Sequence, residues 1–248
     1  MKVRPWLGTL LLLALFLVSI FRFELLEALL RPLVRTGTGA PLRAGLPELA
    51  LQHLVLVLLA GSFSVLTGVV LGFLAVLSRG RDFRNLLVGL SSFTETLPSV
   101  AVIALAVPVL GYGTGPTLLA LCLYGILPVL RNTIDGLEGV DGDIVEAARG
   151  MGMNEARTLF SVRAPVALPV ILAGVRVSLI VTISAATLGA AVGAGGFGVP
   201  IVSGIRSFDA LMILRGAVPV SLMALFADSL LRRAAEAAGG WAVRSGSL

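Results

Sequence analysis

The chain is poor in the residues on which most soluble enzymes depend. Lys2 is its only lysine, Cys122 its only cysteine and His53 its only histidine. A phosphate-binding Walker loop needs G-x-x-x-x-G-K-[ST], so these 248 residues house no P-loop ATPase. One cysteine excludes an internal disulfide framework and a cysteine-based metal cluster. Cys122 lies in an apolar run and reads as an inert buried thiol. No His, Cys and acid cluster stands at metal-ligand spacing, and His53 also sits in an apolar run, where a packed or pore-facing side chain is expected. No catalytic residue, resident metal or cofactor is therefore expected in this chain. Charge is scarce as well: 13% of residues are charged and 57% apolar, against about 25% and roughly 45–50% in soluble domains.

What is present is hydrophobic length. Residues 49–78 and 96–130 carry no Asp, Glu, Lys or Arg, whereas about 20 apolar residues suffice to cross the hydrocarbon. The runs are continuous and do not alternate, so helices are expected and a barrel is not. The fold class is an all-α integral membrane protein with about six transmembrane helices, near 5–22, 48–77, 86–110, 116–131, 166–190 and 210–231.

Short cytoplasmic loops accumulate Lys and Arg. An internal N-terminus puts Lys2, Arg4, Arg79, Arg81, Arg84, Arg131, Arg149, Arg157, Arg163, Arg232, Arg233 and Arg244 inside. It leaves Arg22, Arg31, Arg35, Arg43 and Arg206 outside. Both termini are then cytoplasmic, and orientation in a membrane explains the net charge of +5 without nucleic-acid binding. The first span resembles a signal peptide in its Lys-Val-Arg start, but Ser19-Ile-Phe-Arg-Phe-Glu24 offers no small-x-small cleavage site, so a retained anchor is expected. Residues 23–47 read as a polar external connection with no assigned fold.

Small residues recur at four-residue spacing in the second span, at Ala60, Ser64, Gly68 and Gly72, and again at Gly189 and Gly193. Such rows let helix backbones approach closely in lipid, and packing within the fold is expected of them. Gly193-Ala-Gly195-Gly196-Phe-Gly198 matches the dinucleotide pattern G-x-G-x-x-G, but it follows a membrane run and precedes Pro200 instead of joining strand to helix. Flexible external backbone, serving as a periplasmic gate, a docking loop or a plain turn, is the better reading.

Ionisable residues inside a span are usually paired or water-facing. Glu95 and Arg176 fall at similar depths and are expected to pair or to line one cavity, while Arg215 is expected to snorkel outward. Pro98, Pro108 and Pro128 interrupt spans and free carbonyls that a cavity or neighbour must satisfy. Candidate translocation-pathway residues are Pro98, Ser99, Tyr124, Thr187, Glu95 and Arg176.

The one long polar interruption runs from 132 to 165, longer than a simple connection requires. Asp143 is placed to cap a short helix carrying Glu146, and Gly150 and Gly152 are placed to end it. Asn154 would cap a second helix that reaches about Arg163 before Pro165 stops it. Ala147, Ala148 and the glycines leave room for a partner, and Glu146, Arg149, Glu155 and Arg157 offer charges to orient it.

Glu146, Ala147, Ala148 and Gly152 fall on E-A-A-x-x-x-G, which resembles the loop by which importer permeases of the ATP-binding-cassette class grip their ATPase. Ala164-Pro165 stands where that family usually has Leu-Pro. Gln52-His-Leu, Leu97-Pro-Ser-Val-Ala, Leu123-Tyr-Gly-Ile-Leu-Pro-Val-Leu-Arg-Asn132 and Ile171-Leu-Ala-Gly-Val-Arg176 further resemble the permeases of bacterial osmoprotectant importers.

That resemblance implies an N-terminal helix, then a five-helix permease core of the MetI-like type with cytoplasmic coupling helices. Residues 1–45 would form the anchor and external connection, 46–235 the permease domain and 236–248 a cytoplasmic tail. It implies a bacterial inner-membrane location and transport of glycine betaine, choline or carnitine by alternating access. The implied partners are ATPase subunits holding ATP and Mg, a second permease copy or a related permease, a periplasmic or lipid-anchored substrate-binding protein, and membrane lipid. The implied coupling residues are Glu146, Ala147, Ala148, Gly152, Arg149 and Glu155. Rival readings are a permease for an amino acid such as methionine and an ATP-independent secondary transporter.

Overall fold

The computed structural model describes residues 4–34, 42, 44–77 and 81–245. Lys2, Arg35, Arg43 and Arg79, and the side chains of Arg4, Arg81, Glu95 and Arg244, lie outside the described residues. Every regular element among the described residues is helical. In order they are α1 (Arg4–Phe21), α2 (Phe23–Leu30), α3 (Leu46–Leu77), α4 (Arg81–Thr96), α5 (Ser99–Leu110), α6 (Thr114–Glu138), α7 (Gly142–Gly150), α8 (Glu155–Thr158), α9 (Ala164–Ala186), α10 (Gly198–Ser207) and α11 (Ala210–Ser245). A π-turn (Leu159–Arg163) joins α8 to α9, and a 3-10 segment (Thr187–Val192) follows α9. Among the described residues, four helices are long and apolar enough to cross a membrane, or up to six if each of two bent helix pairs is one span.

Two compact units divide the chain. The first comprises Met1–Gly61, Pro98–Cys122 and Leu179–Ser229, the second Ser62–Leu97, Leu123–Ser178 and Leu230–Leu248. In the first, Leu49, His53, Leu56, Val57 and Ala60 form the buried stripe of α3 at helical spacing. Leu121, Ile183, Ala186, Phe197 and Met223 close over that stripe's apolar members. Leu51, Leu54, Leu58 and Leu59 stay exposed on the other side of α3, as expected of a helix that is apolar all round because lipid surrounds it.

Residues 23–30, expected as a polar connection, fold as α2, which turns 93° from α1. Buried Phe23 anchors it, and Glu27 reaches Arg215 of α11 at 3.0 Å. Arg215 therefore ends on a carboxylate, the two side chains being 16% and 19% exposed.

In the second unit the small-residue row does pack within the fold. A Cβ on Gly68 would stand 2.7 Å from Val129 Cβ, and one on Gly72 would stand 2.5 Å from Thr133 Cγ2. One on Gly125 would reach Ser64 Oγ at 2.4 Å. Between lipid-embedded helices the gain comes from this close dispersion contact.

The expected single helix 86–110 is interrupted at Leu97-Pro98, since Pro98 is extended (φ −64°, ψ 130°) and caps α5. The Tyr124 hydroxyl donates to the Leu97 carbonyl. Conversely, α6 runs to Glu138, two turns beyond the expected end. Its polar residues find partners there: Arg131 donates to Ser92 Oγ at 2.9 Å and Glu138 meets Arg84 at 2.8 Å.

Candidate coupling site

The polar segment between α6 and α9 is organised almost wholly by local chemistry. Asp141, not Asp143, caps α7: its carboxylate accepts from the Asp143 N–H at 3.0 Å, and its own extended backbone (φ −47°, ψ 132°) marks the start. Gly150 lies inside the last turn, and Gly152 is the terminator. Its φ is +81°, its N–H bonds to Arg149 O at 2.9 Å, and the Met153 N–H bonds to Ala148 O at 3.2 Å. This pair of bonds is a Schellman ending, which demands a left-handed residue and so explains the glycine.

Asn154 caps α8 as expected, accepting from the Arg157 N–H at 2.8 Å. The second helix does not stop at Arg163. It passes through the π-turn into α9, with the Ala164 N–H bonding to Leu159 O. The widened turn gives the Pro165 ring room in an otherwise continuous helix.

Of the motif residues, Ala148 is buried at 1% exposure, whereas Glu146 and Ala147 are exposed. Arg149 and Glu155 meet at 2.7 Å and brace α7 against α8. Both are over half exposed, so the pair orients more than it stabilises, contributing at most about 1 kcal/mol. Beside it lies a cavity of about 700 Å³ bounded by Val76, Leu77, Met153, Leu159 and Arg163 among others. Phe160 of the π-turn stacks on Phe73 of α3, with centroids 5.4 Å apart and planes 9° apart.

Two residues that sequence reasoning passed over complete the site. Ile144 is 43% and Met151 71% exposed, and with exposed Ala147 they form an apolar stripe at i, i+3 and i+7. The periodicity was readable, but a buried use of it was equally compatible until exposure was known. The stripe, with Glu146 beside it, is a free helical face able to receive a partner's groove.

The glycine segment is less loose than expected. Gly193, Gly195 and Gly196 have φ of +87°, +81° and +74°. The Gly196 N–H donates to Gln52 Oε1 at 3.0 Å, and Phe197 is fully buried. Thr187 lines a cavity of about 450 Å³ with Ser184, Ser221, Ala217 and Ile201 among others. Neither Pro98 nor Ser99 lines it. Tyr124 is engaged with Leu97, and Arg176 lies half-buried in α9. The Glu95 side chain is outside the described residues.

A multi-span, all-helical chain that presents a capped, exposed helix pair between two spans has the build of a membrane transport subunit. Residues 64–236 match the family model of the binding-protein-dependent transport system inner membrane component, and the chain belongs to that family. It is therefore a multi-pass inner membrane protein and a transport subunit.

It is 39% identical over 180 residues to the carnitine transport permease protein OpuCB of Listeria monocytogenes, covering 73% of this chain and 82% of that one. The same identity and coverage relate it to the choline transport system permease protein OpuBB of Bacillus subtilis. The osmoprotectant import permease protein OsmW of Salmonella typhimurium is 37% identical over 193 residues, 76% of this chain and 89% of that one. Among solved structures, an inward-facing MetNI methionine ABC transporter aligns with a TM-score of 0.69 at 20% identity, covering 75% of this chain and 93% of the other. At that identity the likeness is one of fold, and it agrees with the expected MetI-like core.

Proposed function

We propose that this chain is the permease subunit of an importer for quaternary ammonium osmoprotectants such as glycine betaine, choline or carnitine. The single observation that carries the coupling part is the exposed apolar face of α7 and its C-cap, Ile144, Ala147 and Met151 beside Glu146. The sequence holds no Walker lysine, so the motor is a partner ATPase carrying ATP and Mg. In the proposed topology both termini and the α7–α8 pair are cytoplasmic, and the Gly193–Gly198 turn is a periplasmic gate or docking element. Residues 1–45 serve as anchor and connection, 46–235 as the permease domain and 236–248 as a cytoplasmic tail.

Two permease chains, this one paired with a copy or a related subunit, sit over two ATPases and beneath a periplasmic or lipid-anchored binding protein. ATP-driven closure of the ATPases moves the coupling helices, and the spans respond by turning the cavity outward to accept substrate. The substrate class is supported by the names of the relatives reported above. With only two Tyr and two Trp, the permease has little material for an aromatic cation cage, so selectivity falls to the binding protein.

The test is co-expression with the ATPase and binding protein, followed by uptake of labelled glycine betaine, choline, carnitine and methionine. ATP-dependent uptake of a quaternary ammonium compound is expected. Uptake of methionine alone, or uptake that persists without any ATPase, overturns the reading. Met151→Arg is expected to abolish ATPase copurification while leaving the permease monodisperse in detergent.

A further inference from the structure

Two neighbouring side chains of α3 hold the Gly193–Gly198 turn from two directions. Gln52 is half-buried, and its amide orientation is set by exposed Glu48, whose Oε1 accepts from Gln52 Nε2 at 3.3 Å. The amide oxygen is thereby left for the turn, and it accepts the Gly196 N–H at 3.0 Å.

His53 is fully buried. Its Nε2 lies 3.0 Å from the Ile183 carbonyl, which only accepts, so Nε2 carries the proton and donates it. The ring is thus fixed to the C-terminal part of α9. Its other edge, Nδ1, has no hydrogen-bond partner and faces Gly196, where any Cβ would stand 2.9 Å from that nitrogen. The ring lies tilted at 41° to Phe197, 5.2 Å between centroids, and Phe197 in turn meets Phe16 edge-on at 6.5 Å.

The glycines follow from this crowding. A Cβ on Gly195 would meet Gln52 Oε1 at 2.2 Å, and one on Gly198 would meet the Thr187 carbonyl oxygen at 1.9 Å. A Cβ on Gly216 of α11 would come within 2.4 Å of the Phe197 carbonyl. The turn is therefore a fitted part. The wet end of the fit is the Gln52 bond, and the dry end is the His53 ring.

We infer that Gln52 and His53 are positioning residues that fasten the glycine turn to α3, so that turn and helix move as one body during transport. A flap swinging on its glycines is the motion this arrangement excludes. The inference rests on reading the turn as a moving part of the transport cycle, and its test separates the two ideas.

The thiol of Ala194→Cys, placed at a buried position of the turn, reports its placement once Cys122, the only native cysteine, is replaced by Ala. In the assembled importer, Gln52→Leu removes the acceptor at similar volume and is expected to raise the maleimide labelling rate roughly threefold to tenfold, the shift that loss of one ordinary hydrogen bond permits. Gln52→Glu combined with Glu48→Gln exchanges the two partners of the Glu48–Gln52 bond and keeps an acceptor oxygen for the Gly196 N–H, and it is expected to restore slow labelling. His53→Gln, which can still donate towards Ile183, is expected to label more slowly than His53→Leu.

In the same preparations, without the reporter cysteine, Gln52→Leu is expected to lower the maximal uptake rate at an unchanged half-saturating concentration of binding protein. Faster labelling that is reversed by the exchanged pair Glu48→Gln with Gln52→Glu supports the fastening role. Should uptake then stay at the wild-type level, the fastening role holds and the gate reading of the turn falls. Labelling that is equally slow in Gln52→Leu, His53→Leu and the parent overturns the inference.

Discussion

The α7–α8 pair and the glycine turn are both short, glycine-marked interruptions of a membrane chain, yet they are held in opposite ways. The α7–α8 pair is fixed by neighbours in sequence: Asp141, Gly152 and Asn154 each satisfy backbone groups within three residues or one helical turn. A Cβ on Gly152 would meet nothing within 4 Å, so its glycine answers to φ alone. The glycine turn is fixed by residues more than a hundred positions away, Gln52 and His53, and two of its glycines, Gly195 and Gly196, answer to space as well as to φ. The contrast follows from solvent. Water satisfies whatever the α7–α8 surface leaves open, whereas the buried residues of the glycine turn take their contacts from inside the protein.

This contrast is open to attack by mutation, and the largest effect belongs to the glycine turn. Gly198→Ala forces a methyl against the Thr187 carbonyl at 1.9 Å, a backbone clash expected to cost about 3 kcal/mol or more. Loss of monodisperse permease in detergent is the expected readout. A variant as thermostable as the parent would show that the turn yields more easily than its contacts imply.

Gly152→Val comes next. It meets no neighbour, but it places a β-branched residue at φ +81°, a strain of roughly 1–2 kcal/mol. Because the strain is confined to α7–α8, the permease should remain folded by size exclusion while ATPase copurification falls steeply. Asn154→Ala removes one cap and is expected to weaken α8 by about 1 kcal/mol. Faster amide exchange at Arg157 and Thr158, with the rest of the chain unchanged, checks it.

The smallest effect is expected from Arg149→Gln, since both partners of the pair are over half exposed and such pairs contribute about 0–1 kcal/mol. The melting temperature should not move measurably. Any loss of ATPase affinity should shrink as salt is raised, because ions screen surface charge. A loss independent of salt would mean that Arg149 packs against the partner through its stem.

Much of the α7–α8 pair was legible from sequence because its determinants are local. Asn154 was found as a cap and Gly152 as a stop, although the first cap is Asp141, two residues earlier than expected. The error has a simple cause: several acids lie near the start, and only backbone geometry tells which one is extended. The continuation through Pro165 was missed because a π-turn has no sequence signature of its own. Residues 23–30 were grouped with the Pro- and Gly-rich stretch that follows them and so taken as connection, and the partner that makes Glu27 tolerable, Arg215, is 188 positions away. The glycine segment was recognised as non-Rossmann, but its rigidity was invisible, since nothing near it in sequence announces Gln52 or His53.

By itself the sequence determined that the chain is an all-helical membrane protein with a polar, capped loop between two apolar stretches. Hydrophobic length, lysine scarcity and cap residues act over a few turns of chain, and their meaning does not depend on what packs beside them. Only the tertiary structure decided that Glu27 tethers Arg215, that the row Ser64, Gly68 and Gly72 packs on α6, and that α3 grips the glycine turn. Those outcomes depend on which side chains meet across long stretches of chain, where close packing, not local preference, selects the partner.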